Sequence, residues 1–181
     1  MDRLTKLYLN YINGDKSAFE CLLNESKNGL IFYINRYVHD LHTAEDLSED
    51  VFVSLLMHPR RFNGTASVKT YLYTIGRNKA IDYLRRRRRV IVTEENIEAD
   101  SVLLVEAESE IKERNAVLHR CISQLNDNYA EVLHLIYFAD MSYEQAAKVM
   151  KKNPKQIENL AYRARKSLKI LLEKEGIELE K

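Results

Sequence analysis

The stretch TYLYTIGRNKAIDYLRRRRR, residues 70–89, is the most informative part of this chain. On a helix, with about 100° between successive residues, its apolar side chains continue one stripe that can pack against a core. The opposite, mostly polar face comprises Thr70, Thr74, Arg77, Asn78, Ile81 and Arg85. Five consecutive arginines, Arg85 to Arg89, end the stretch. This arrangement suits contacts to a nucleic-acid backbone with some base contacts, and the alternative is a solvated basic helix end.

The composition favours an all-α protein. Of 181 residues, 45% are hydrophobic, and only 5 are glycine and 2 proline, so few residues would interrupt helices. No apolar run approaches the roughly 20 residues of a membrane span, and the N-terminus lacks the pattern of a signal peptide. We therefore expect a cytoplasmic protein with no membrane insertion of its own, in which Cys21 and Cys121 are buried free thiols.

The net charge of +1 hides a strong segregation of charge along the chain. Residues 1–90 carry 15 Lys+Arg against 10 Asp+Glu, residues 91–113 carry 1 against 8, and residues 114–181 carry 12 against 9. We therefore predict two small helical domains, 1–89 and 114–181, joined by an acidic linker at 90–113. This segment is either an ordinary solvated linker or a set of carboxylates that masks a basic surface until nucleic acid displaces it.

The first domain is expected to contain several amphipathic helices. One runs from Leu4 to Ile12, and the segment from Lys16 to Tyr37 reads as two helices with a break at Asn28-Gly29. Thr43 is the expected N-cap of a further helix, and Ser67 can cap the helix that bears the arginines.

That further helix carries four closely spaced acidic residues, Glu45, Asp46, Glu49 and Asp50. The like-charged pairs at i, i+4 each cost an isolated helix roughly 0.2–0.5 kcal/mol. Because a DNA-binding domain gains nothing from this charge, we interpret it as a docking face for a basic protein partner. The alternative is a solvated acidic face.

The second domain contains the spacing of a helix-turn-helix. Ser142 and Gln145 form an N-terminal capping box. A second helix starts at Asn153, with Pro154 at its first position and Gln156 at N3. Short helix, three-residue turn and second capped helix are typical of this motif. Its outer face carries residue types that reach base edges and phosphates in a major groove: Lys155, Glu158, Asn159, Tyr162, Arg163 and Lys166.

No pattern indicates catalysis or a bound cofactor. There is no glycine-rich phosphate loop, and no Ser, His or Asp stands in a recognisable nucleophile context. His39 and His42 could be imagined as metal ligands near Asp46 and Glu49. With no cysteine or further histidine nearby, we interpret them as surface polar residues.

Three stretches, in this order, resemble the extracytoplasmic-function (ECF) group of the bacterial sigma-70 family. AEDLSEDVF at 44–52 resembles the helix with which that family docks on RNA polymerase. FNGTASVKTYLYTIGRNKAIDYLRRRRR at 62–89 resembles its promoter-melting segment. ISQLNDNYAEVLHLIYFADMSYEQAAKVM with NPKQIENLAYRARKSLK resembles its C-terminal domain, which reads the upstream promoter element.

The resemblance implies contact residues for the polymerase core and for two promoter elements. Docking on the polymerase core would use Asp46, Glu49, Asp50, Phe52 and Val53. The minus-ten region would be met by Phe62, Asn63, Thr70, Thr74, Arg77, Asn78, Lys79, Asp82, Arg85, Arg86 and Arg88, and the 59–67 loop would hold a flipped-out base. The minus-thirty-five major groove would be entered by Lys155, Gln156, Glu158, Asn159, Tyr162, Arg163 and Lys166. An anti-sigma factor is a further implied partner.

The chain departs from the family pattern at four positions. Family members usually have Gln at Glu49, Trp near Tyr71, Gly at Lys151 and a basic residue at Glu158. Lys151 is the ninth residue of the helix-turn-helix, where the chain often needs a positive φ. We therefore predict a strained turn at Lys151.

These patterns predict a two-domain, all-α sigma factor with no cofactor, metal or catalytic residue. A rival hypothesis is a helix-turn-helix regulator that binds DNA without engaging core polymerase. A simple regulator needs neither the acidic face at 44–53 nor the separate basic helix at 68–89. A small metal-dependent nuclease or deaminase is a more distant alternative.

Overall fold

The computed structural model describes residues 1–91 and 110–177, and these residues contain helices and no strand. The helices are α1 (Arg3–Ile12), α2 (Lys16–Val38), α3 (Leu41–Met57), α4 (Val68–Ile91), α5 (Glu110–Ser123), α6 (Asp127–Leu133), α7 (Tyr143–Met150) and α8 (Pro154–Lys174). A 3₁₀ turn at Pro59–Arg61 follows α3, and a π-helical turn at His134–Phe138 follows α6. The all-α prediction is confirmed. Most of the predicted acidic linker lies outside the described residues.

The chain divides into two compact units. The first contains α1 to α4. The second contains α5 to α8.

In the first unit, α2 packs against α1, α3 and α4. The core consists of fully buried side chains that recur at helical spacing, among them Tyr8, Leu22, Leu30, Tyr33, Ile34, Leu55 and Leu72. The expected helix from Leu4 to Ile12 is confirmed as α1. Burial of this apolar stripe, rather than intrinsic propensity, supplies most of the stability of such helices.

The predicted break at Asn28-Gly29 is wrong, because α2 runs unbroken from Lys16 to Val38. Gly29 serves packing instead: a Cβ at this position would lie 3.0 Å from the hydroxyl oxygen of Tyr73 on α4. Tyr73 is itself buried. The glycine therefore lets a tyrosine of the arginine-bearing helix approach α2 closely.

Two further local predictions are corrected. Asp40, not Thr43, is the N-cap of α3, and its carboxylate accepts a hydrogen bond from the Thr43 backbone N–H at 2.7 Å. Cys21 is exposed, and only Cys121 is buried. Cys21 lies on the outer side of α2, a fact that its sequence neighbours do not reveal.

The second unit confirms the helix-turn-helix. Ser142 and Gln145 form a complete capping box on α7, and Asn153 and Gln156 form another on α8, with Pro154 in its first turn. The inner face of α8 is buried at Ile157, Ala161, Ala164 and Leu172. After Leu133, the last residue of α6, the chain continues as the π-helical turn His134–Phe138.

The predicted positive φ at Lys151 is confirmed, with φ 55° and ψ 46°. A non-glycine residue in this left-handed conformation costs roughly 1–2 kcal/mol. Glycine would remove that cost. It would also stabilise the unfolded state by roughly 0.4–1 kcal/mol, because it raises the conformational entropy of the unfolded chain. We therefore expect Lys151→Gly to stabilise the second unit by up to about 1.5 kcal/mol, measured as slower amide hydrogen exchange in α7 and α8.

Lys152 is the matched control, since it is an equally exposed neighbour without a positive φ. Lys152→Gly gains nothing from strain relief and is expected to leave stability unchanged or to lower it. Faster exchange in Lys151→Gly than in the unmodified chain would show that strain at this turn is negligible.

Candidate nucleic-acid and protein interfaces

One face of α3 is exposed along the whole helix and changes character halfway. Its N-terminal half is acidic and its C-terminal half is apolar, and Val53 and Met57 are 53% and 70% exposed. We call this surface the α3 stripe; it consists of Asp46, Glu49, Asp50, Val53, Leu56 and Met57. The residues stand at positions i, i+3, i+4, i+7, i+10 and i+11, so they lie along a single side of the helix.

The predicted contact residue Phe52 is not on this surface. Its side chain is 3% exposed and belongs to the core, which contradicts its assignment as a docking residue. Leu56 and Met57 were not predicted, although continuing the spacing from Asp46 through Val53 would have reached them. An exposed apolar strip beside charges is typical of a protein-binding surface.

The acidic half of the α3 stripe is partly neutralised within the same unit. Lys27 Nζ lies 3.5 Å from Glu49 Oε1, and Lys79 Nζ lies 3.0 Å from Asp50 Oδ2. These pairs are largely solvent-exposed, so each contributes only about 0–1 kcal/mol. Asp46 forms no ion pair with any other described residue. The carboxylates of the α3 stripe therefore remain available to a binding partner, because breaking these weak ion pairs costs little free energy.

Asp40 holds the start of the same helix. Hydrogen bonds from the Thr43 side chain and backbone keep the pKa of the Asp40 carboxyl below its ordinary value. The carboxylate therefore stays ionised at neutral pH, where a negative charge at a helix N-terminus is favourable. This contribution is lost only as the pH falls through the lowered pKa.

The hydroxyl groups at the start of α4 form hydrogen bonds within the helix and its cap. Thr70 is 1% exposed, its backbone N–H donates to Ser67 Oγ at 3.1 Å, and the two hydroxyl oxygens lie 2.9 Å apart. Ser67 is thus confirmed as a cap. The Thr74 hydroxyl donates to the Thr70 carbonyl at 2.7 Å. Burial contradicts the prediction of Thr70 as a DNA contact, and Thr74 is half-buried.

The C-terminal half of α4 is the basic part of the helix. Arg77, Asn78 and Lys79 are half-buried. Asp82 is exposed and its carboxylate lies 3.6 Å from the Arg85 guanidinium. The predicted residues Arg85, Arg86 and Arg88 are all exposed, as is Arg89. Guanidinium groups in such a row can pair with phosphate oxygens.

The loop before α4 is anchored by aromatic rings. The Phe62 ring meets the Tyr8 ring edge-on at 5.4 Å and the Tyr71 ring edge-on at 5.6 Å. Phe62 is half-buried, and its contact with Tyr71 helps to hold it. Asn63 is exposed, and its side-chain oxygen accepts hydrogen bonds from the backbone and hydroxyl of Thr65.

The outer face of α8 carries all seven predicted residues, and all are exposed: Lys155, Gln156, Glu158, Asn159, Tyr162, Arg163 and Lys166. Three of them are engaged locally. The Lys155 ammonium pairs with the Glu158 carboxylate at 2.7 Å, and Gln156 Oε1 accepts the Asn153 backbone N–H at 2.9 Å. Asn159 and Arg163, one turn apart, line a shallow depression on this face.

Among the described residues, no group of three or more His, Cys, Asp or Glu side chains could hold a metal ion. His42 instead lies 3.7 Å from the Glu45 carboxylate on the surface. Within the same residues, no helix combines the length and the apolar character that crossing a membrane requires.

Two family models match the two units. Residues 22–90 match Sigma-70 region 2, and residues 115–168 match Sigma-70 region 4. The chain is 29% identical to the ECF RNA polymerase sigma factor SigM of Bacillus subtilis, over 80% of this chain and 88% of that protein. It is 28% identical to the RNA polymerase sigma factor YlaC of the same organism, over 85% of this chain and 91% of that protein.

The fold is similar to that of the sigma factor RpoE, solved with the anti-sigma factor NepR from Bartonella quintana. The TM-score is 0.73 at 23% identity, over 86% of this chain and 96% of that one. Both region models match, in chain order, the units that carry the α3 stripe and the helix-turn-helix. The chain therefore belongs to the ECF group of the sigma-70 family of RNA polymerase sigma factors.

Proposed function

We propose that this sigma factor binds core RNA polymerase through the α3 stripe and recognises a bipartite promoter through α4 and α8. One observation carries the proposal: the first unit presents an exposed acidic and apolar face on one helix and a row of exposed arginines on another. A basic complementary surface on the polymerase would be attracted to the acidic half. The apolar half would supply the desolvated contact area.

For the minus-ten region, the exposed residues Asn63, Arg85, Arg86 and Arg88 are the best candidates for direct contact. Half-buried Arg77, Asn78 and Lys79 lie on the same helix, closer to its packed start. For the minus-thirty-five region, Asn159 and Arg163 combine exposure with a place on the outer face of α8. Phosphate contacts by the arginines would position the DNA, and contacts to base edges would give sequence preference.

The experiment that tests this function is reconstitution with core polymerase and a promoter library. Start sites that share two elements at fixed spacing would support it. The rival helix-turn-helix regulator predicts specific DNA binding without core, no co-purification with core, and no new start sites. Those results together would overturn the sigma-factor proposal and leave the DNA-binding unit intact.

We further propose that the domains are 1–89 and 114–181, with an acidic linker at 90–113. Helix α4 continues two residues past the first boundary and α5 begins four residues before the second. Because residues 91–113 carry 8 Asp+Glu and only 1 Lys+Arg, a glutamate-specific protease is the suitable probe. We expect its first cuts inside 90–113, with fragments near 1–90 and 114–181 on mass spectrometry.

Trypsin is the matched control for that digestion, since the linker offers it only Lys112 among residues 91–113. Early glutamate-specific cuts at Glu144, Glu158 or Glu49 would instead contradict these boundaries. Those residues lie within helices.

An anti-sigma factor and a cytoplasmic location complete the proposal. RpoE was solved bound to an anti-sigma factor, and the exposed apolar half of the α3 stripe is a surface that such a regulator could cover. Sigma factors are in general not enzymes, and we propose that this chain has no enzymatic activity of its own.

A further inference from the structure

Helix α1 lies before residues 22–90, the part that matches Sigma-70 region 2. It nevertheless contacts the two ends of the loop at residues 62–67, which precedes α4. Tyr8 of α1 is fully buried and packs against Phe62 where the loop begins. Thr5 of α1 contacts Val68 where the loop ends. The exposed turn around Asn63 is therefore held between two points on α1.

The contact at Thr5 is a hydrogen-bond relay. The Thr5 hydroxyl donates to the Asp2 carboxylate at 2.6 Å and accepts the backbone N–H of Val68 at 3.0 Å. One hydroxyl can do both, since it has one donor and two acceptor sites. Donation to a carboxylate polarises the oxygen and strengthens it as an acceptor. Thr5 is 7% exposed and Val68 fully buried, so water does not readily replace either group.

Val68 is the first residue of α4, and the first N–H groups of a helix have no partner within the helix. Thr5, 63 residues away in sequence, supplies that partner. The Ser67 hydroxyl oxygen supplies a partner for the backbone N–H of Thr70. The start of α4 is thus fixed by one cap from its own loop and one from α1.

We propose that Thr5 is a positioning residue for the minus-ten surface. Its hydroxyl fixes the start of α4 against α1 and thereby sets where Asn63 and the rest of the 62–67 loop meet unstacked DNA. The inference rests on the proposed function, in which Asn63 contacts the minus-ten region. A flipped-out base is held in a pocket, so a loop loosened at one end would capture the base less well and slow promoter opening without weakening the contact with core.

The test compares Thr5→Val, which keeps the shape and removes the hydroxyl, with Thr5→Ser, which keeps the hydroxyl. The full chain is bound to core polymerase, on the strongest promoter from the library above, with 2-aminopurine in the minus-ten element. We expect Thr5→Val to slow the fluorescence rise at saturating sigma factor on the order of tenfold. Thr5→Ser should restore it to about the unmodified rate, and the affinity of all three proteins for core should be equal.

Ile31→Val is the matched control, because it removes one methylene from the buried core of the same unit on α2. It lowers stability without touching the relay and should open the promoter at the unmodified rate. In the free protein, amide hydrogen exchange at Val68 should be faster in Thr5→Val than in Thr5→Ser.

Three results would overturn the inference: opening by Thr5→Val at the unmodified rate, Thr5→Ser as slow as Thr5→Val, or equal slowing by Ile31→Val. Loss of core affinity in Thr5→Val would also count against it, since that marks a general structural role. A failure of the unmodified chain to bind core or open any promoter would instead overturn the proposed function. The two failures are therefore distinguishable.

Discussion

Replacing Asp46 and Glu49 together by arginine is expected to abolish co-purification with core polymerase while circular dichroism remains that of the unmodified chain. Both side chains are exposed on the α3 stripe, so the fold does not depend on them. Reversed charges facing a basic partner cost several kcal/mol, roughly a hundredfold or more in affinity. The Lys27–Glu49 pair is removed as well, but it is exposed and contributes little.

The control is Glu20→Arg with Glu25→Arg, which makes the same change of charge on α2, outside the α3 stripe. Glu25 pairs with Arg3 at 2.7 Å, also at the surface, so both double variants break one exposed ion pair. The control should bind core nearly as the unmodified chain does. Retained binding of Asp46→Arg/Glu49→Arg at physiological salt would remove the docking role from α3.

Removing the Asn159 side chain is expected to change base preference in the upstream element. Asn159→Ala should weaken the free energy of binding by roughly 1–3 kcal/mol on promoters that carry the preferred base in the upstream element, and by less on others. A bidentate amide–adenine contact provides about that much discrimination. The measurement is the ratio of affinities for matched and mismatched upstream elements. Gln156 is a poorer probe, since its side chain also caps α8 and its removal would disturb the helix start.

The comparison for Asn159 is Arg86→Ala or Arg88→Ala, on the exposed end of α4. These variants should weaken binding equally on all promoters. Each should also reduce the slope of log affinity against log salt by about one for every phosphate that is no longer neutralised. A uniform loss of affinity from Asn159→Ala, with the same salt dependence as the arginine variants, would refute a division between base-reading and phosphate-binding residues.

Features of the second unit were predictable because they are local. A capping box joins residues three apart, as in Ser142 and Gln145. The outer face of α8 follows from helical periodicity once Asn153 and Pro154 set its start. The positive φ at Lys151 follows from its place between two capped helices. These features need no information from distant parts of the chain.

Predictions in the first unit failed where a distant helix decides the environment of a side chain. Phe52 and Thr70 have residue types and spacings compatible with contact surfaces, yet neighbouring helices bury both. Gly29 looked like a helix break, but it is the place where Tyr73 of α4 approaches α2. Whether a side chain is covered depends on how helices cross, and sequence spacing does not specify that.

By itself, the sequence determined the all-α class, the helix-turn-helix, the positive φ at Lys151 and the segregation of charge. These follow from periodicity, cap chemistry and composition, which act over a few residues. Only the tertiary structure decided that Phe52 is buried, that Lys79 pairs with Asp50, and that Thr5 caps α4. Each of these depends on residues far apart in sequence, which meet only after the helices have packed.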